Sequence, residues 1–259
     1  NPSTLQPFNP STLQPFNPFT LQPHPPMNPE QYEMVPIEVG SFVWYAGYGI
    51  LLSMIVGLFF LAPRVGDEKM AKWERFLGWF TLANLLWYQG MALLAGIWMK
   101  EESLPMHMCS FSQILLFIHL VYKKDWAFQL LAFWGPLGGI QAFLTPALET
   151  EPTFGFVMQF YLAHGLVVLA PIYLMVHGGR RLDKGGVWRV IGITFLTGYV
   201  MMPINALLGS NYMYTNNPPP VDHPLVQGEW PGYLVWIQMA VVVLFLMFYY
   251  GFSRYVKKD

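Results

Sequence analysis

Seven apolar runs, most near the length of a bilayer crossing, divide this chain, and the loops between them alternate between basic and nearly free of positive charge. The runs cover 43–62, 76–99, 105–122, 126–146, 154–177, 187–209 and 232–252. About 20 apolar residues in a helix cross a hydrocarbon core about 30 Å thick. A backbone surrounded by lipid has to satisfy its own hydrogen bonds, which selects helices for spans of this length. The expected fold is therefore all-α, a polytopic membrane protein of seven transmembrane helices. The third run is the least apolar, since it holds His107, Cys109, Ser110, Ser112, Gln113 and His119.

The charges orient this bundle. Arg64, Lys69, Lys72 and Arg75 stand in the first loop, Lys123 and Lys124 in the third, and Arg180, Arg181, Lys184 and Arg189 in the fifth. Arg254, Lys257 and Lys258 follow the last run. Lys100 is alone on the other set of loops, so 13 of the 14 Lys and Arg fall on one side. Cytoplasmic loops retain positive charge, which places the N-terminus outside and the C-terminus in the cytoplasm. With 54% hydrophobic and only 11% charged residues, chance clustering on a soluble protein is a poor account. A net charge of −1 supplies no basic field, so no nucleic-acid partner is expected. A single cysteine excludes an internal disulfide.

Residues 1–26 stand apart. NPSTLQPF occurs at 1–8 and again at 9–16, and NPFTLQPH follows at 17–24. This proline-rich segment has too little apolar surface to offset the entropy of ordering it. It also lacks the basic start and continuous apolar core of a signal peptide. It reads as a disordered low-complexity repeat, translated ahead of a start at Met27 or Met34. Residues 27–42 form an extracytoplasmic lead-in and 43–256 the seven-helix domain.

At about 1.5 Å per helical residue, Cys109 lies roughly 6–9 Å below the outer surface and His164 roughly 15 Å down. Asn205 lies about one turn below the same surface, with Asn211 and Tyr212 in the loop beyond. Helical phase puts Ser112 and Gln113 on the face of Cys109, and Thr194, Gly198, Asn205 and Gly209 on one stripe. Polar faces turn toward the bundle interior. Pro136, within Gly135-Pro136-Leu137-Gly138-Gly139, and Pro171 and Pro203 are expected to interrupt their helices.

By residue type alone, Cys109 is a small packing residue and His164 a structural hydrogen-bonding one. The functional reading is a nucleophilic pair, in which the imidazole takes the thiol proton. Sulfur and ring nitrogen then lie within about 4 Å or are bridged by one water. A metal centre is disfavoured. His119 and His177 lie near one surface and His107 and His223 near the other, and His107 points about 160° from Cys109 around an ideal helix. No HxxxH or ExxH pair occurs. Neither metal nor cofactor is expected. A retinal protein needs a lysine in its last span, and 232–252 has none. A non-catalytic transporter or receptor stays open, because broken helices with polar groups at mid-depth are a transporter trait.

The string Leu104-Pro105-Met106-His107-Met108-Cys109-Ser110 resembles the LPxHxCS stretch of the YwaF-type bacterial integral membrane proteins. Gly135-Pro136-Leu137-Gly138-Gly139-Ile140-Gln141-Ala142, Thr145-Pro146, Phe160-Tyr161-Leu162-Ala163-His164, Asn205, Asn211-Tyr212 and Trp230-Pro231 extend the likeness in order over about 40–255. That family is similar to the animal transmembrane protein 164 acyltransferases and, more distantly, to the androgen-induced hydrolases of fatty-acid esters. The resemblance implies that Cys109 and His164 occupy the positions of a catalytic Cys and His. It implies acyl transfer through a thioester, with phospholipid as donor and lysophospholipid as acceptor. Asn205, Gln113 and Asn211 are candidates to support the oxyanion. A lipid-ester hydrolase using the same pair is the alternative. For a didermic bacterial host the expected place is the inner membrane, with the site facing the extracytoplasmic leaflet.

The charge alternation makes a direct prediction. In a Cys109→Ser background, Lys100→Cys reacts with a membrane-impermeant maleimide added to intact cells, and Lys184→Cys reacts only after the membrane is opened. Equal labelling of both from outside refutes the orientation.

Overall fold

Seven long helices carry the chain among the described residues of the computed structural model, which are 34–64, 66–148, 150, 152–218 and 228–258. The repeat at 1–26 lies outside them. In order the helices are α1 (Phe42–Ile55), continued by a π-helical stretch Val56–Leu61, α2 (Asp67–Leu94), α3 (Met108–Tyr122) and α4 (Asp125–Gly139). A single turn, α5 (Gln141–Leu144), precedes α6 (Phe154–Val176), α7 (Gly186–Leu208) and α8 (Gly232–Gly251).

Five stretches are long and apolar enough to cross a membrane: Phe42–Leu61, Asp125–Leu144, Phe154–Val176, Gly186–Leu208 and Gly232–Gly251. Of the seven expected spans, five meet the length and apolar composition of a crossing helix, and α2 and α3 fall short of that measure for two physical reasons. The 28-residue α2 begins with charged turns and carries Asn84 and Gln89 along its apolar half. The 15 residues of α3 reach only about 22 Å, short of a core about 30 Å thick. That helix starts at Met108 because His107 is extended (φ −77°, ψ 156°), and it stops at Lys123 in the left-handed region (φ 55°). The run 126–146 is helical over Asp125–Leu144, where Ile140 joins α4 to α5 with helical backbone angles (φ −64°, ψ −29°). Pro136, Pro171 and Pro203, expected to interrupt, each sit inside an unbroken helix.

Helices α2, α3, α4 and α6 pack on one another, α1 lies along α6, and α7 and α8 form a hairpin resting on α4. Close approach of α4 to α6 depends on Gly135, where an added Cβ would land on the Val167 carbonyl oxygen. The hairpin is fastened by Trp134, whose Nε1–H donates to Thr194 Oγ1 at 2.7 Å, while that hydroxyl donates to the Val190 carbonyl at 2.8 Å.

Charge separates the two ends of the bundle. At one end Lys123 Nζ meets Glu74 at 2.7 Å, and Asp183 receives Lys257 Nζ at 2.7 Å and Arg189 at 3.3 Å. Gln129 Nε2 donates to the Arg181 carbonyl, and Leu182 bridges to Val256. At the other end β1 (Val35–Pro36) pairs antiparallel with β2 (Ala147–Leu148). There, too, the Tyr212 hydroxyl donates to the Lys100 carbonyl at 2.8 Å and accepts from Leu104 N–H at 2.9 Å.

Gly135→Ala is expected to lower unfolding stability by about 1–3 kcal/mol through overpacking of α4 against α6. Gly138→Ala is expected to be close to neutral, because its Cβ would meet only the flexible Met108 side chain, at 3.4 Å. Thermal unfolding of the two detergent-purified variants checks the contrast.

Candidate active site

At the weakly basic end lies a cavity of about 620 Å³, enclosed by α2, α3, α6 and the α7–α8 hairpin. Its roof is formed by residues of 102–107 and 211–218 together with Ala147, Leu148 and Thr150. The size is that of a small-molecule site, about 300–1,000 Å³. Phe156, Phe195, Met202, Leu234, Ile237 and Val241 give it a long apolar wall. Gln89, Glu102, His107, Cys109, Gln113 and His164 supply the polar groups. Gly138, near the end of α4, also lines it.

Cys109, half-buried, is the second residue of α3. The helix start has no side-chain cap, since the His107 side chain makes no capping bond. The first N–H groups of a helix have no intrahelical partner and favour an anion. His164 lies midway along α6, its Nδ1 2.9 Å from the Phe160 carbonyl. A carbonyl only accepts, so Nδ1 carries the hydrogen and Nε2 keeps its lone pair. The ring packs against Phe160 at 4.4 Å between centroids. Thiol and imidazole face the same cavity, and among the described residues no direct hydrogen bond joins them.

The three supporting candidates part company. Gln113, one turn beyond Cys109, is 5% exposed and lines the cavity, and its Oε1 is buried without a partner. Asn205 is fully buried and does not line the cavity. Its Oδ1 accepts from Tyr212 N–H at 2.9 Å and Ser210 Oγ at 2.8 Å, and its Nδ2 donates to the Tyr212 carbonyl and Thr215 Oγ1, both at 2.9 Å. With every polar function engaged, Asn205 is a strut for the loop and has nothing left for an oxyanion. Asn211 lines the cavity, yet its carboxamide is bonded to Asn216 and Asn217.

Helical phase predicts His107 on the far side of α3 from Cys109. The structure brings both into the cavity. The phase argument fails because His107 is the extended residue before the helix, where the 100° periodicity does not apply. Gln89 and Glu102 also escape sequence reasoning. Gln89 accepts from Trp98 Nε1 at 2.7 Å and donates to the Ser103 carbonyl at 2.6 Å, shaping the loop that brings Glu102 to the cavity. The pair Glu101-Glu102, just ahead of Leu104-Pro105, is the one signal that marked it.

Residues 40–249 match the TMEM164 family. The chain belongs to that family. With five apolar helices of crossing length, this TMEM164 protein is an integral membrane protein. Every cavity-wall residue except Met34 falls inside the matched span. A protein of Treponema pallidum (strain Nichols), described as an uncharacterized protein, is 27% identical over 181 residues, which are 67% of this chain and 72% of that protein. No solved structure matches.

Burial, and then the neighbouring Glu101, raise the Glu102 carboxyl above its ordinary 4.5. A carboxyl raised by folding binds its proton more tightly in the native state. Its contribution is therefore fully present below the unfolded value and is lost as pH rises through the folded one. Glu102→Gln is expected to raise the melting temperature at pH 7–8, with the gain vanishing below about pH 4. A melting temperature that tracks the parent at every pH refutes this.

Proposed function

We propose that this TMEM164 protein is a membrane-embedded lipid acyltransferase that works through a thioester on Cys109. The observation that supports the reading is that the chain's one cysteine and an imidazole whose Nδ1 is committed to a carbonyl both line a single cavity. The apolar wall suits an acyl chain, and the polar roof suits the glycerol ester and head group. His164 Nε2 takes the Cys109 proton as sulfur attacks the ester carbonyl. The resulting oxyanion is stabilised by the Gln113 carboxamide and the N–H groups that open α3. The C–O bond then breaks, and His164 returns its proton to the departing lysophospholipid alcohol. In the second half the hydroxyl of an incoming lysophospholipid loses its proton to His164 and attacks the thioester carbonyl, the C–S bond breaks with its electron pair on sulfur, and His164 returns the proton to that thiolate.

The same proposal covers the setting. The chain crosses the membrane with its N-terminus outside, α2 and α3 completing seven crossings within a bundle that shields their polar residues. The cavity lies at the end away from the basic loops, which the positive-inside rule assigns to the extracytoplasmic leaflet; in a didermic bacterium this is the inner membrane. Phospholipid enters sideways past α7 and α8, whose outer faces are exposed, as at Tyr199 and Trp236.

Purified protein incubated with acyl-labelled phospholipid and an unlabelled lysophospholipid is expected to form labelled diacyl product. Cys109→Ala and His164→Ala are expected to lose at least about 10²-fold in rate. Release of labelled fatty acid in place of diacyl lipid would establish a hydrolase. Equal turnover by all three proteins removes the catalytic reading and leaves a transporter or receptor.

A further inference from the structure

Two histidines reach the cavity, and main-chain atoms set them in opposite tautomers. His164 Nδ1 faces the Phe160 carbonyl at 2.9 Å and must carry hydrogen. His107 Nδ1 faces the Met213 N–H at 3.4 Å and must hold a lone pair, so its hydrogen is on Nε2. One ring thus presents a proton acceptor and the other a proton donor.

The donor is held by a built arrangement. The His107 ring sits beside Tyr212 at 5.1 Å and Tyr214 at 5.5 Å between centroids. Met213 and Tyr214 both adopt left-handed backbone, φ 57° and 53°, which non-glycine residues seldom take. Asn205 grips Tyr212 by both its N–H and its carbonyl, and the buried Tyr212 ties the loop to Lys100 and Leu104. Strained backbone of this kind persists where surrounding contacts over-determine it.

We propose that His107 is a further catalytic residue, a neutral imidazole whose Nε2–H donates to the carbonyl oxygen of the acyl group while His164 acts as base. This rests on the acyl-transfer reading. As Cys109 sulfur bonds to the carbonyl carbon, the C=O electron pair moves to oxygen and is received by His107 Nε2–H and the Gln113 carboxamide. The thiol proton goes to His164, and His107 keeps its own proton throughout. The same contact serves the second tetrahedral intermediate, formed when the acceptor hydroxyl attacks the thioester.

The test uses the full chain in lipid nanodiscs with labelled phospholipid and lysophospholipid. His107→Phe keeps a ring between Tyr212 and Tyr214 and removes the N–H. It is expected to lower kcat by about 10²–10³-fold with little change in KM. His107→Gln, which restores an N–H donor, is expected to recover most of that loss. Iodoacetamide should alkylate Cys109 at the parental rate in both, since thiol activation belongs to His164, and this reports an intact site. Turnover by His107→Phe within about twofold of a working parent overturns the His107 assignment alone, and so does a His107→Gln variant as slow as His107→Phe. A parent protein with no acyl turnover overturns the acyl-transfer reading and this assignment with it.

Discussion

In hydrocarbon a backbone amide has no partner except its own chain, and that constraint organises the molecule. Helices that cross from side to side satisfy it along their whole length, as the 23-residue α6 and α7 do. Helix α3, of 15 residues, does not reach as far, because it begins late at Met108. Non-helical backbone at membrane depth is tolerated where it is covered by protein or lines a cavity. The stretch ahead of α3 meets that condition, since Glu102, Ser103, Leu104 and His107 line the cavity.

That space needs a roof, and a few hydrogen bonds make it. Asn205, at the last turn of α7, bonds main-chain atoms of Tyr212, and Tyr212 bonds Lys100 and Leu104 ahead of α3. Each bond contributes about 1 kcal/mol net, yet their placement matters more than their sum. They tie the end of α7 to the start of α3 and so fix the loop whose Met213 N–H sets the tautomer of His107. The latch and the chemistry are therefore mechanically linked, although Asn205 never meets the cavity.

The division of labour among the polar residues follows from what each already bonds. Asn205 is fully occupied in shaping a loop, and Gln89 gives one donor and one acceptor to another. Gln113, buried with an unsatisfied carboxamide oxygen, and His164, with one nitrogen committed to Phe160, retain capacity for a ligand. A buried polar group left without a partner costs stability, so these residues are the ones whose presence a bound substrate would explain.

The amino-acid sequence by itself determined the helical class, the apolar segments and the separation of charge between the two ends. Those are properties of composition and periodicity, which hydrophobic burial and the positive-inside rule read locally. It misjudged His107 because helical phase assumes a helix, and only the fold shows that the helix starts one residue later. It placed Asn205 on an inward face near the end of its helix, but phase reports a face and not the partners, Tyr212, Ser210 and Thr215, that occupy its carboxamide. The latch over the cavity and the bond from Met213 N–H to His107 were decided by tertiary structure. Both depend on backbone atoms brought together from distant parts of the chain, and no local pattern encodes that meeting.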